Sequence, residues 1–296
     1  MEKEAQEFLQ SQNITLLRLC KAQGFMSQVY EAEKEGEELI VHYTHQNDEQ
    51  KYQQILPKII FMTEYFSNKT ILPCTPIFLS KSFPNESFLT VQKKIKGKVL
   101  GKREFDGNSF HDKYEKEYEK SLAETIATIH KEKSIGFGFL IKGKGPYTSW
   151  KEFLEKESER WIKNTEEEGI KVLTLTDKKN IENTRSFWLE SSETNWTDPR
   201  FVHGDIVNPS NILVDKGEIT GVLDWEWALS GDPAWEFAFT DMPLDSYIKY
   251  INTEKEKFLK RVKCCRFFWL LWAINVHTKG EFKATLYKLL LKETCI

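Results

Sequence analysis

Two carboxylates and a carboxamide stand in one short stretch of this chain at spacings suited to moving a phosphoryl group. Phe201-Val202-His203-Gly204-Asp205 reads as an apolar strand end that delivers His-Gly-Asp into a loop. Asn211 closes that loop just before the apolar run Ile212-Leu213-Val214. After a turn at Lys216-Gly217, a second strand over 219–223 delivers Asp224 at its end. Two antiparallel strands would bring Asn211 and Asp224 together as hard oxygen ligands, which suit magnesium. Asp205, on the loop just before them, is placed to accept a proton from a substrate hydroxyl. Phosphoryl transfer calls for such parts, because its transition state needs positioning and charge neutralisation more than covalent chemistry.

The elements that must hold these residues follow from the periodicity of the chain. A short helix over 3–12 is followed by strand-like runs at 14–20, 29–33 and 38–43, rich in β-branched and aromatic residues. A helix over 51–67, started or kinked by Pro57, interrupts them before strands at 77–81 and 87–93. Lys96-Gly97-Lys98 reads as a linker. Beyond it, Tyr114, Tyr118, Leu122, Ile126 and Ile129 recur about one turn apart, which predicts a helix over 113–131. Helices are also expected over 150–163, 177–190 and from Lys249 onward, around the strands and turns of 201–224. The pattern is α+β: a small antiparallel-sheet lobe over 1–95, then a larger, mainly helical lobe over 96–296.

Composition narrows the partners. The chain has 296 residues and a formal net charge of −3, which gives no footing for nucleic-acid or membrane binding. The charge is uneven, with thirteen Asp and Glu over 182–245 against Arg185, Arg200 and Lys216. Such a stretch is either a solvated face or a cleft for metal ions and a cationic substrate. The five cysteines show no metal-binding spacing, no leader opens the chain, and the longest apolar run, near 267–276, is half of the ~20 residues a membrane span needs. A reduced, cytoplasmic monomer is expected.

The run from His203 to Glu236 resembles the catalytic and metal-binding loops of the aminoglycoside phosphotransferase and choline kinase family, distant relatives of protein kinases. His203-Gly204-Asp205 resembles that family's His-Gly-Asp. Asp224-Trp225 is similar to its metal-binding Asp-Trp or Asp-Phe, and Gly231-Asp232-Pro233 with Glu236 to its Gly-Asp-Pro segment. Leu122-Ala123 to Ile129-His130 is similar to its helix ending in Leu-His or Ile-His, and the likeness extends from Leu17 to about Asp245. It implies a two-lobed protein-kinase-like fold that uses ATP or GTP with Mg2+. Asp205 would be the base, Asn211 and Asp224 the magnesium ligands, Asp232 a brace for the catalytic loop, and His203 a structural hydrogen-bonding residue. Asn211 lies six residues after Asp205, whereas the kinase signature has five, so the loop should bulge by one residue near Pro209.

On the nucleotide side, Gly24-Phe25-Met26-Ser27 resembles the family's phosphate-covering turn, with Gly24 and Ser27 approaching the phosphates. His42 stands where the third strand of such kinases carries a cation, and Lys58 where the next helix carries Glu. Lys58 reaching in to replace the lost cation is one reading. Adenine would bond the main chain near Gln92, Lys93 and Lys94. Glu226, Glu236 and Asp241 are candidates for contacts to a cationic substrate, and an aminoglycoside-type antibiotic fits best, with antibiotic resistance as the consequence. A metabolic kinase for choline, a sugar or an amino alcohol is the first alternative. A pseudokinase-like binding protein is the second.

Overall fold

The structure is a computed structural model and describes residues 1–20, 27–44, 55–69, 72–84, 87–105, 110–167, 173–240, 244–251, 253–276 and 280–294. Helix α1 (Lys3–Ser11) buries Ala5 and Leu9, one turn apart, against a five-stranded antiparallel sheet. The sheet comprises β1 (Thr15–Leu19), β2 (Ser27–Lys34), β3 (Glu37–Thr44), β4 (Ile77–Ser82) and β5 (Phe88–Lys93), in the order β1-β2-β3-β5-β4. Leu39, Val41 and Tyr43 of β3 alternate into this core beside Leu89 and Val91 of β5. The same alternation turns Ile40 and His42 to the opposite face.

Helix α2 (Ile55–Asn68) interrupts the sheet, with Pro57 in its first turn. Residues 51–54 of the expected helix lie outside the described residues. Met62 and Phe66 of α2 are fully buried in the core of the helical part rather than in that of the sheet. There the Phe66 ring stacks on Trp225, with centroids 5.0 Å apart.

The expected linker at 96–98 runs into strand pairing at its last residue. β6 (Lys98–Val99) pairs with β11 (Ile212–Asp215), which pairs in turn with β12 (Glu218–Val222). Gly97 has φ +145°, and a Cβ there would meet the Thr220 hydroxyl oxygen at 2.5 Å, so the crossing is open only to glycine.

A second difference follows at once. Residues expected to begin a helix at 113 belong to a hairpin, β7 (Gly101–Phe105) with β8 (Phe110–Tyr114), in which Arg103 faces Asp112 across the ladder. Helix α3 (Glu119–Lys131) starts only at Glu119 and buries Leu122, Ala123, Ile126 and Ile129. Tyr114 keeps the helical spacing but is used by the strand.

The helical part then adds β9 (Gly138–Phe139), α4 (Trp150–Glu167), α5 (Leu175–Glu190), β10 (Arg200–Val202), β13 (Leu229–Gly231), α6 (Leu244–Tyr247), α7 (Lys255–Val276) and α8 (Gly280–Glu293). Thr174 and Asp177 close a capping box at the start of α5. From Phe267 to Asn275 every residue of α7 is buried, as a helix apolar on all sides must be. No helix among the described residues is long and apolar enough to cross a membrane.

Candidate active site

β10 pairs with β13 and ends at Val202, so the chain enters the His203-Gly204-Asp205 loop from a fixed strand. The loop is pinned from below by Glu236, which is 2% exposed. One carboxylate oxygen accepts from the His203 and Gly204 N–H groups at 2.9 and 3.1 Å, and the other from Ile206 N–H at 3.1 Å. The His130 ring lies 3.6 Å from the same carboxylate. Glu236, expected to touch substrate, is therefore a buried brace of the catalytic loop. Burial pushes its carboxyl up, but the two histidine rings and the main-chain N–H groups outweigh this and hold it below the usual range. Gly204 has φ +88° and lies against the Trp227 carbonyl, where a Cβ would come to 2.5 Å.

Asp232, expected to brace the catalytic loop, is fixed on the turn that carries Glu236. Its carboxylate caps the Ala234 N–H at 2.9 Å and pairs with Arg261 of α7 at 2.8 Å, tying the Pro233–Phe237 turn to that helix. It braces the loop only through the turn that carries Glu236. His203, expected to be a structural hydrogen-bonding residue, is bonded through both ring nitrogens. Its Nε2–H donates to the Leu223 carbonyl at 2.8 Å, and its Nδ1 accepts from Asp205 N–H at 3.3 Å.

Asp205 sits at the loop tip, with its side chain 26% exposed. Oδ2 accepts from the Asn208 and Asn211 amides at 3.1 and 2.9 Å. Oδ1 accepts from the Arg103 guanidinium at 3.3 Å. Desolvation dominates these favourable contacts and pushes the carboxyl up to about 6. The extra residue between Asp205 and Asn211 is taken up by a 3-10 turn at Pro209–Asn211, which Asn208 caps through Ser210 N–H.

Asn211 and Asp224 lie at the same end of the β11–β12 hairpin. Ile212 pairs with Val222, and Leu223 N–H donates to the Asn211 carbonyl at 2.8 Å. Asp224 adopts φ +64°, ψ +66°, a left-handed conformation costly for a residue with a Cβ and common at functional sites. Protein surrounds it while its side chain stays open to solvent, the condition of a group on a cleft floor. Enclosure and the nearby Asp205 charge push its carboxyl up to about 7. Glu226 is raised in the same way by burial and by Asp224.

Lys58 is the cation beside them. It is 4% exposed, and its ammonium donates to the Glu226 carbonyl at 2.7 Å. Burial pulls its pKa down to about 8, against the pull of the Glu226 carboxylate. His42, by contrast, is pushed down to about 4 by burial and is neutral at pH 7. The strand thus offers no fixed positive charge at that position, and the helix does. The Ser27 hydroxyl is 2.7 Å from that of Thr44 on the neighbouring strand. Gly24 and Asp241 lie outside the described residues.

Gln92 pairs on both sides, with Ile40 and Ile77. The Lys93 carbonyl accepts from the Thr75 hydroxyl, and Lys94 N–H donates to the Glu38 carbonyl. Their side chains form surface ion pairs, Lys93 with Glu37 and Lys94 with Glu31 and Glu38.

Arg103 and Asp112 are site residues that the sequence reading missed, as is Glu236 in its bracing role. Among the described residues, Asp112, Asp205, Asp224 and Glu226 face Arg103 and Lys58 in this network, a balance of −2 when all are ionised. A divalent cation would compensate that charge. Among the described residues no three His, Cys, Asp or Glu converge into a metal cage. Magnesium does not require one, since it keeps several waters and takes one or two protein carboxylates plus phosphate oxygens. The open carboxyl of Asp224 beside Asn211 fits such an ion.

An antiparallel-sheet part followed by a helical part, with Asp205 on one loop and Asp224 at the end of the adjoining hairpin, is the arrangement of a kinase-like phosphotransferase. A profile of the phosphotransferase enzyme family, APH, matches residues 23–242, and the chain belongs to that family of small-molecule kinases. No curated protein matches it in sequence. A thermostable mutant of aminoglycoside phosphotransferase APH(4)-Ia, solved with AMP-PNP and hygromycin B, shares the fold at 16% identity over 98% of each chain, with a TM-score of 0.66. A protein from Haemophilus somnus 129PT assigned as a fructosamine-3-kinase is similar at 14% identity over 95% of this chain and 92% of that one, with a TM-score of 0.67. The GDP complex of aminoglycoside 2'-phosphotransferase-IIIa is similar at 12% identity over 98% and 97%, with a TM-score of 0.66.

Proposed function

We propose that this enzyme transfers the terminal phosphoryl group of ATP or GTP to a hydroxyl of an amine-bearing sugar, foremost an aminoglycoside-type antibiotic. The observation that carries the reading is the pair Asp205 and Asp224, held at one end of the β11–β12 hairpin with Asn211 between them, each carboxyl raised by burial and Asp224 also by the charge of Asp205. Asp224 and the Asn211 amide oxygen would hold magnesium, which supplies neutralisation of phosphate charge when bound. Asp205 orients the acceptor hydroxyl and takes its proton. Lys58 holds the Asp224-Trp225-Glu226 turn and lends the positive charge that His42 lacks.

An amine-bearing acceptor suits the acidic stretch 182–245. The aminoglycoside phosphotransferases among the structural neighbours support an antibiotic, and the Haemophilus protein supports a fructosamine as the second reading. Hygromycin B, other aminoglycosides and a fructosyl amine, each offered with magnesium-ATP and magnesium-GTP, test both. Phosphorylation of an aminoglycoside, lowered at least ~100-fold in kcat by Asp205→Asn, is the expected result. Turnover of the fructosyl amine alone would shift the assignment to the second reading. Turnover unaffected by Asp205→Asn would remove Asp205 from the base role.

A further inference from the structure

The Asp205 carboxylate has about four acceptor positions, two on each oxygen. Oδ2 is filled by the Asn208 and Asn211 amides. Oδ1 carries one bond, from Arg103 Nη1. Among the described residues one position is therefore left, on Oδ1, beside the guanidinium.

Arg103 is itself fixed from three sides. It makes a two-pronged pair with Asp112 at 2.7 and 3.0 Å. Asp112 accepts in turn from the Thr240 hydroxyl at 3.2 Å. The guanidinium lies over the Phe239 ring, 5.0 Å from its centroid. Its side chain is 16% exposed and that of Asp112 10%, so it is not a loose surface arginine that swings to the base by chance. The β7–β8 hairpin that carries both residues packs on the Pro209–Asn211 turn, the inserted part of the catalytic loop. A planar fork held at both ends fixes the plane of what it binds.

We infer that Arg103 is the positioning residue for Asp205: from the β7–β8 hairpin it sets the carboxylate plane and leaves a single Oδ1 position for the acceptor hydroxyl. This rests on the reading of Asp205 as the base. In the step it serves, the acceptor oxygen bonds to the terminal phosphorus as its proton passes to Oδ1. The bond from that phosphorus to the bridging oxygen breaks, and the nucleoside diphosphate leaves with the electron pair. Asp205 then returns the proton to solvent. The acceptor must approach from the hairpin side, because the Asn208–Asn211 side of the carboxylate is filled.

The test is a kinetic double-mutant cycle of Arg103→Gln and Asp205→Asn, with Arg103→Lys as the conservative variant. Magnesium-ATP is the donor, and hygromycin B, a fructosyl amine and water are assayed separately as acceptors. Arg103→Gln is expected to lower kcat about tenfold or more, the scale of a small misplacement of a reacting group, with KM for ATP within about threefold of wild type. Arg103→Lys should recover part of that loss. In the Asp205→Asn background Arg103→Gln should cost nothing further, because the group it positions is gone. A full multiplicative loss in the double variant overturns the inference, as does wild-type kcat in Arg103→Gln. Should Arg103→Gln fail to fold, Arg103→Lys decides: wild-type kcat there overturns the inference, and a reduced kcat abolished as an effect by Asp205→Asn supports it. Normal turnover in Asp205→Asn alone strikes the base assignment instead, so the two failures are distinguishable.

Discussion

Replacing Glu236 with glutamine should unfold the protein at a lower urea concentration and slow the enzyme, although residue 236 has no exposed side-chain surface with which to meet a substrate. Its carboxylate takes three main-chain N–H groups, two on one oxygen and one on the other. A glutamine can keep the first two by placing its carbonyl oxygen there. Its amide then faces Ile206 N–H, donor against donor, with no acceptor in place. The cost is one charge-assisted bond lost, two weakened, and a buried N–H left bare, about 2–3 kcal/mol. Glu236→Ala removes all three acceptors and opens a cavity, at about 4–5 kcal/mol. The assay is urea unfolding at pH 7, read as a shift of midpoint at constant slope. The pH dependence gives a second readout. A carboxyl depressed on folding stabilises above its unfolded value of about 4.3, and that contribution disappears as pH falls through the lower folded value. The wild-type protein should therefore lose stability below about pH 4 more steeply than Glu236→Gln. A glutamine variant with the wild-type midpoint and the same acid slope would refute the bracing role.

Three further outcomes are expected. Lys58→Ala should weaken ATP binding about tenfold by calorimetry, the scale of one charged contact, whereas His42→Ala should change it little, because His42 is neutral; equal effects would place the charge wrongly. In the metal-free protein the Asp205 carboxyl should titrate near about 6, above the ordinary carboxylate range, because burial disfavours its charged form; an ordinary carboxylate titration, read by carbon NMR against Asp205→Asn, would exclude that effect. Phe66→Ala should cost about 3–5 kcal/mol in urea unfolding, as a buried ring stacked on Trp225 is lost, and a loss under 1 kcal/mol would mean that the site collapses around the gap.

The catalytic segment was legible because its chemistry demands particular side chains at strand ends, and alternating runs announce those ends. Ile212-Leu213-Val214 and the run before Asp224 do so on either side of a Lys-Gly turn. Lys58 was also visible, as a single charge inside Ile55-Leu56-Pro57-Lys58-Ile59-Ile60-Phe61. The β7–β8 hairpin carried a signal that was passed over. Asp106-Gly107 between Lys102-Arg103-Glu104-Phe105 and Phe110-His111-Asp112-Lys113 is a favoured hairpin dipeptide between two strand-length runs. The helical spacing of Tyr114 and Tyr118 competed with it, and pairing to β7 decided the outcome. Glu236 is a different case. Its partners are main-chain N–H groups 30 to 33 residues away, and main-chain groups are the same at every position, so no residue pattern encodes them. The left-handed backbone of Asp224 is equally silent in sequence, since aspartate gives no glycine-like warning.

Met62 and Phe66 seat α2 in the larger core, even though the helix interrupts the strands of the smaller one. The lysine that α2 presents to the Asp224–Glu226 turn is thereby anchored in the larger core. A chain cut at residue 95 and expressed as two pieces would leave the later piece with a hollow beside Trp225, filled only when the earlier piece is supplied with it.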